Sequence, residues 1–411
     1  MNNKVLFTNI VSIGALRFFS FALTLITLPY LTRVLGINNW GEIVFVQLII
    51  SYLLWITDWG FNYGASKRVA ANRNNKYNLN ILFSEVWCSQ ILLTIFVLGL
   101  LLLVVHVFGS LIHNPAYYII YSGVILGNLL TPIWFLNGLE FIKEGAIIQL
   151  LAKVIALPLI FVFINSPEDV FKYLLIESLA SIVVGIFSFL WIKKYFKLRI
   201  IFFGTRHLLK IIQDDFQLFI NNTWATLNTS IIPLILGVVS GEVALALYNI
   251  ADRAKSMALV ILQPVSHVLF PRMCYLFSKE IEKAKKMLVY SGILLFFTSF
   301  AMSIALYMYS TEIISFLGGD GFINAENVLH VLAPLVLIST ITSFIVNQLL
   351  IPTNQYKGFT ISSLASLIIS SLIIIPLVQK FNEIGASYTL LISEISVLLI
   401  LGFFVKKHKF F

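Results

Sequence analysis

The stretch MLVYSGILLFFTSFAMSIALYMYST, residues 287–311, decides the fold: it holds no Asp, Glu, Lys or Arg and is long enough to cross a bilayer as one helix. A hydrocarbon core of ~30 Å takes about 20 helical residues at ~1.5 Å each. Residues 86–105, 216–241 and 327–356 lack the same four residue types, so each can cross without burying an ion. Barrel strands would alternate polar and apolar over about ten residues, and these runs do not, which leaves helices. Outward from these runs the texture persists to both ends. Of 411 residues 59% are hydrophobic and 11% are charged, against about 25% charged in an average soluble domain. An ordinary globular protein is excluded, and no sizeable soluble domain fits beside the membrane part.

The apolar runs predict an all-α polytopic membrane protein of twelve spans, at about 5–33, 42–62, 84–105, 116–138, 145–164, 172–192, 215–240, 243–270, 287–310, 328–350, 358–378 and 385–405. The opening MNNK and the apolar run after it show no small-residue cleavage site and carry Arg17 mid-run, which reads as a retained first helix. With the N-terminus in the cytoplasm, the even loops and the termini hold 21 Lys and Arg and the opposite side holds three, Arg33, Lys172 and Lys380. The remaining four, Arg17, Lys153, Arg253 and Lys255, fall within spans. This bias puts both termini in the cytoplasm. It also explains the net charge of +9 without nucleic acid as a partner.

Two six-helix lobes follow, 1–192 and 215–411, joined by a cytoplasmic connector at 193–214. The connector mixes Lys193, Lys194, Lys197, Arg199, Arg206 and Lys210 with Ile200, Phe202, Phe203 and Leu208, a basic amphipathic pattern suited to anionic headgroups. LGINNWGE at 35–42 resembles LGVVSGE at 236–242, the trace of a parallel repeat or a reuse of cheap turn pairs.

Ionisable groups inside spans are the informative residues, because each costs roughly 2.5–3.5 kcal/mol at a helix centre unless water or a partner receives it. They are Arg17, Asp58, Lys153, Glu177, Asp252, Arg253, Lys255 and Glu394. Arg17 shares a polar stripe with Asn9, Ser20, Thr24 and Thr27, and Asn222, Thr226, Thr229 and Pro233 form another on span seven. Such stripes either line a cavity or glue helix to helix. Arg17, Arg253, Lys255 and Lys153 are candidate contacts for an anionic substrate group, since guanidinium and ammonium donors bind phosphate oxygens well in a low-dielectric cleft. Internal pairing is the alternative, most directly between Asp252 and Lys255, three residues apart. Asp58, Asp252, Glu177 and Glu394 are candidate cavity charges or coupling carboxylates for H⁺ or Na⁺.

Catalysis is not expected. The longest outer loop, about 311–327, is too short for a catalytic domain. The chain has no GxxxxGK[ST] nucleotide loop, and its six His show no metal-ligand spacing. Cys88 and Cys274 make no disulfide framework or thiolate site. No cofactor or metal is expected; the reading is a secondary transporter.

Two stretches carry a resemblance. PYLTRVLGINNWGEI at 29–43 with TDWGFNYGASKRVAANR at 57–73 looks like the opening of the polysaccharide-exporter branch of the multidrug/oligosaccharidyl-lipid/polysaccharide (MOP) superfamily. PIWFLNGLEFI at 132–142 resembles the segment that ends the fourth helix of O-antigen (Wzx-type) flippases. The resemblance implies a V-shaped pair of six-helix lobes in the bacterial inner membrane. Such a protein passes an undecaprenyl-pyrophosphate-linked oligosaccharide, an O-antigen or related lipopolysaccharide or surface-polysaccharide repeat unit, from inner to outer leaflet by alternating access. Membrane lipids and other polysaccharide-assembly proteins are its implied partners, with Arg17 and Arg253 as pyrophosphate contacts. A membrane polymerase or ligase and a cation-coupled drug exporter of the same superfamily remain the alternatives.

Overall fold

Charge-free runs become helices, and the chain turns where Gly, Pro and Asn punctuate it. The computed structural model describes residues 3–108, 114–353 and 355–407, without the side chains of 3–18, 21, 221–229, 263–265, 267, 268, 271 and 407. The helices are α1 (Asn3–Asp58), α2 (Phe61–Ala71), α3 (Lys76–Phe108), α4 (Pro115–Tyr121), α5 (Gly123–Leu129), α6 (Ile133–Gly138) and α7 (Ile142–Phe163). They continue as α8 (Val170–Tyr195), α9 (Thr205–Lys279), α10 (Ile281–Met308), α11 (Ser310–Gly318), α12 (Ala325–Leu332), α13 (Pro334–Phe344) and α14 (Tyr356–Lys407). A π-helical turn, Ile345–Leu350, extends α13. Among the described residues no strand occurs, and nine stretches are long and apolar enough to cross a bilayer. Three of the nine are each divided by one non-helical residue, Gly36, Gly241 or Asn382, which gives twelve legs. The chain is an all-α polytopic membrane protein.

Gly36 (φ 75, ψ 173) and Gly241 (φ 82, ψ −174) adopt one and the same conformation, a region essentially restricted to glycine. They reverse the chain between legs one and two and between legs seven and eight. The structural register of the repeat therefore pairs Gly36 with Gly241, whereas the sequence match alone pairs Gly36 with Gly237. Identical letters had aligned a helical glycine with a turning one.

By Cα proximity the chain forms two units, one of residues 1–35 and 45–223, the other of 36–44 and 224–411. In the first, Phe61, Phe83, Trp134 and Phe135 are fully or almost fully buried in one core, where the Phe83, Trp134 and Phe135 rings meet tilted or edge-to-face with centroids 5.1–5.8 Å apart. Trp134 Nε1 donates to Gln90 Oε1 at 3.0 Å, and Ser66 Oγ to the Trp134 carbonyl at 2.7 Å. The two motif-bearing stretches thus pack on each other. On α5 and α8 the backbones touch through small residues: a Cβ at Gly127 would lie 2.1 Å from Ser181 Oγ, and one at Gly185 would lie 2.7 Å from the Gly127 carbonyl. Close approach of this kind supplies the van der Waals contact that holds helices together where lipid removes the hydrophobic drive.

The connector is a turn, an extended strip and a helix start, with Lys197 at φ 52. Asn80, Ser84 and Cys88 lie on one face of α3 and bond the strip's backbone. Asn80 Oδ1 accepts from Arg199 N at 3.1 Å, Ser84 Oγ from Ile201 N at 3.0 Å, and Cys88 Sγ donates to the Ile201 carbonyl at 3.9 Å. The six basic residues of the connector stay exposed, as does Phe202.

Candidate functional site

In the second unit the eighth leg, the part of α9 beyond Gly241, carries the charged cluster. Arg253 stands eleven residues past Glu242, about 16 Å along the helix. Its Nε donates to Asn249 Oδ1 at 3.0 Å, and its guanidinium carbon lies 5.8 Å from the centroid of the Trp40 ring. Trp40 is 2% exposed and comes from the 36–44 segment, which packs within this unit. A Cβ on Gly41 would sit 2.1 Å from the Glu242 carbonyl oxygen. The glycine thus lets the two turns of the repeat touch and sets Trp40 beside Arg253. A cation over indole gains about 0.5–2 kcal/mol, more as water is excluded.

Lys255 is ion-paired with Asp252 one turn earlier, its side chain 12% exposed. Glu394 on α14 is within electrostatic reach of Lys255, and Tyr248, fully packed, is within reach of Asp252. The structure therefore pairs Lys255 directly with Asp252, with Glu394 of α14 within electrostatic range of the ammonium. Arg253 points to different neighbours. Of the two cations close together on this leg, Lys255 is ion-paired with Asp252, and Arg253 bonds Asn249 and lies over the Trp40 ring.

The remaining predicted residues belong to the first unit. Lys153, exposed on α7, donates to the Ser20 carbonyl at 3.3 Å and to Thr24 Oγ1 at 3.2 Å, so it reaches the polar stripe of the first leg. Arg17 and Asn9 of that stripe, and Asn222, Thr226 and Thr229 of span seven, lie outside the residues whose side chains are described. Asp58 closes the second leg and accepts from Asn128 Nδ2 of α5 at 3.0 Å. Glu177 is half-buried on α8.

Sequence reasoning missed two arrangements. Arg68 of α2 grips Asp215 of α9 with two hydrogen bonds, Nη1 to Oδ1 at 2.7 Å and Nη2 to Oδ2 at 2.6 Å. Asp215 is 2% exposed. Around it the TDWG motif forms a seat for α9: Trp59 stacks on Phe219 at 4.2 Å and donates Nε1 to the Ile212 carbonyl at 2.8 Å. A Cβ on Gly64 would lie 2.4 Å from Asp215 Oδ1. The glycine spacing, Gly60 and Gly64, was the available signal. The second is a stripe of Ser339, Ser343 and Asn347, uncharged and therefore invisible to a search for ionisable groups.

Ionisable side chains paired and hydrogen-bonded inside twelve apolar legs mark a polytopic membrane protein. The chain belongs to the polysaccharide biosynthesis protein family, whose model matches residues 6–277. It is 28% identical over 99% of its length to the "Putative O-antigen transporter" of Escherichia coli (strain K12), covering 98% of that protein. To the protein of the same name from Shigella dysenteriae it is 24% identical, over 91% of this chain and 93% of the relative. Among solved structures, the lipid II flippase MurJ in an inward closed conformation matches with a TM-score of 0.76 at 16% identity, over 96% of this chain and 87% of that one. An inward-facing MATE family multidrug transporter of the MOP superfamily matches with a TM-score of 0.71 at 13% identity, over 94% of each chain. The fold is shared with both.

Proposed function

We propose that this chain is a flippase that carries a polyprenyl-pyrophosphate-linked oligosaccharide, a repeat unit of O-antigen or a related surface polysaccharide, from the inner to the outer leaflet of the bacterial inner membrane by alternating access. Family membership and the names of the two relatives support polysaccharide transport. The observation that carries the lipid-linked form is Arg253, a guanidinium set mid-leg on an amide and an indole. A planar fork held in place suits two phosphate oxygens at once, and a low-dielectric surround strengthens the bond. The polyprenyl chain needs no such provision, because hydrocarbon receives it. In the first unit, Lys153, on the Ser20–Thr24 face of the first leg, and Arg17 of that leg are the candidate cations. The carboxylates Asp252 and Glu394 beside Lys255, with Asp58 and Glu177, are the groups through which a proton or Na⁺ gradient would act.

Deleting the gene tests the reading. A flippase loss strands complete lipid-linked repeat units on the inner leaflet and removes surface polysaccharide. Single repeats that still reach the surface would instead mark a polymerase, and unchanged surface polysaccharide with increased drug sensitivity would mark a drug exporter.

A further inference from the structure

The second unit holds a cavity of 450 Å³ between α9 and the α13 leg, lined by Ser266, Phe270, Ser339, Thr340, Ser343 and Asn347 together with Leu259 and Leu262. Among the described residues no charged side chain lines it. The size lies within the range of small-molecule sites, about 300–1,000 Å³. The Thr340 hydroxyl is already spent on the Val336 carbonyl at 2.6 Å. Ser339, Ser343 and Asn347 make no side-chain hydrogen bond to any described residue, and they follow one another at intervals of four, within about 80° around the helix. Three unanswered polar side chains on one stripe of a membrane leg are costly unless water or a ligand satisfies them.

Two further features shape this place. The leg is π-helical where Asn347 stands, with Ile351 N bonding the Val346 carbonyl at 3.0 Å; such turns recur at functional sites. Gln348, fully buried, donates Nε2 to the Ser266 carbonyl at 2.8 Å and so ties the π turn to the opposite wall. Its Oε1 has no partner among the described residues. On α9 the residues Asp252, Lys255, Leu259, Leu262, Ser266 and Phe270 fall within about 80° of one another. The cavity thus continues the face that bears the charged pair. Leu259 begins one turn, about 6 Å, beyond Lys255, toward the end of the leg that the charge bias places in the cytoplasm.

Cation binding would call for carboxylates and anion binding for ammonium or guanidinium, and neither is among the described residues of the walls. Hydroxyl and amide groups each donate and accept, which matches a ligand whose own groups do both. We infer that this cavity between α9 and the α13 leg is a carbohydrate subsite that takes a neutral sugar of the carried oligosaccharide through Ser339, Ser343 and Asn347. The inference rests on the flippase reading, and places sugar recognition on the same helix face as the charged pair, on its cytoplasmic side.

The test compares binding of two lipids to the purified full chain in detergent: undecaprenyl pyrophosphate, and the lipid-linked oligosaccharide extracted from cells lacking this gene. The wild type should hold the oligosaccharide lipid about tenfold more tightly, the worth of one or two hydrogen bonds. Ser339→Ala with Ser343→Ala, and separately Asn347→Leu, should erase that preference while binding of the bare lipid stays within about twofold, which also shows that the variants fold. Arg253→Ala should weaken both lipids together. Equal affinity of the wild type for the two lipids, a preference that survives in both variants, or a parallel loss of both lipids in them overturns the subsite and leaves the flippase reading standing. A wild type that binds neither lipid overturns that reading and the subsite with it.

Discussion

Lys255 and Arg253 are two residues apart and both cationic, yet their neighbours differ. Lys255 is held by the Asp252 carboxylate with Glu394 nearby. Lys255→Met should lower stability by about 1 kcal/mol, since it removes the cation from Asp252, whose side chain is itself 35% exposed and so partly screened. Adding Asp252→Asn should recover more than half of the loss, read as melting temperature in detergent; a double variant that melts no higher than the single one would show that the pair is not coupled. Arg68→Ala should cost about 3 kcal/mol by stranding the buried Asp215 carboxylate. A melting temperature within about 1 °C of wild type would show that the seat of α9 is held by Trp59 and Phe219 alone. The eight ionisable candidates were legible in the sequence because charge stands out against apolar runs. Apart from the Asp252–Lys255 pair, read from its three-residue spacing, their partners were not: Asn249 and Asn128 are ordinary letters, and Trp40 lies beside Arg253 where Gly41 closely approaches Glu242.

At the scale of elements, the legs were readable and their breaks only partly so. Each predicted span corresponds to one leg, because about 20 apolar residues with little or no charge match the thickness of a bilayer and little else. The fourth span, however, is three short helices, α4, α5 and α6, interrupted at Ser122 and before Pro132, and the tenth ends in a π turn. Hydrophobicity does not report such interruptions, since they change hydrogen bonding and leave composition alone. The turns at Gly36 and Gly241 are the reverse case, where one residue type is required. Gly36→Ala and Gly241→Ala should each cost about 1–3 kcal/mol through backbone strain, even though a Cβ at either site would meet nothing within 4 Å. Thermal unfolding of the two variants checks this. Unchanged melting would mean that the turns tolerate an L side chain and that the shared conformation is not constrained. A matched pair of losses is the energetic counterpart of the repeat that LGINNWGE and LGVVSGE show only faintly.

On the scale of the molecule, the motifs that resemble the family and the residues proposed for transport overlap only at Trp40 and Asp58. TDWG and PIWFLNGLE build the aromatic core of the first unit and the seat of α9, so their presence in the sequence reports architecture. The charged cluster with Trp40 and the uncharged cavity along the same face of α9 lie in the second unit. That division explains why the family was readable from the opening third of the chain while the carbohydrate stripe was not. In the proposed mechanism the Arg253 guanidinium receives the travelling pyrophosphate. Translocation of undecaprenyl-pyrophosphate-linked oligosaccharide across proteoliposomes, compared for wild type, Arg253→Lys and Arg253→Ala at equal protein incorporation, tests it most directly. Loss of a charge-assisted bidentate contact should slow the alanine variant by about 10–100-fold, with the lysine variant between the two. Equal rates for wild type and alanine would contradict the claim.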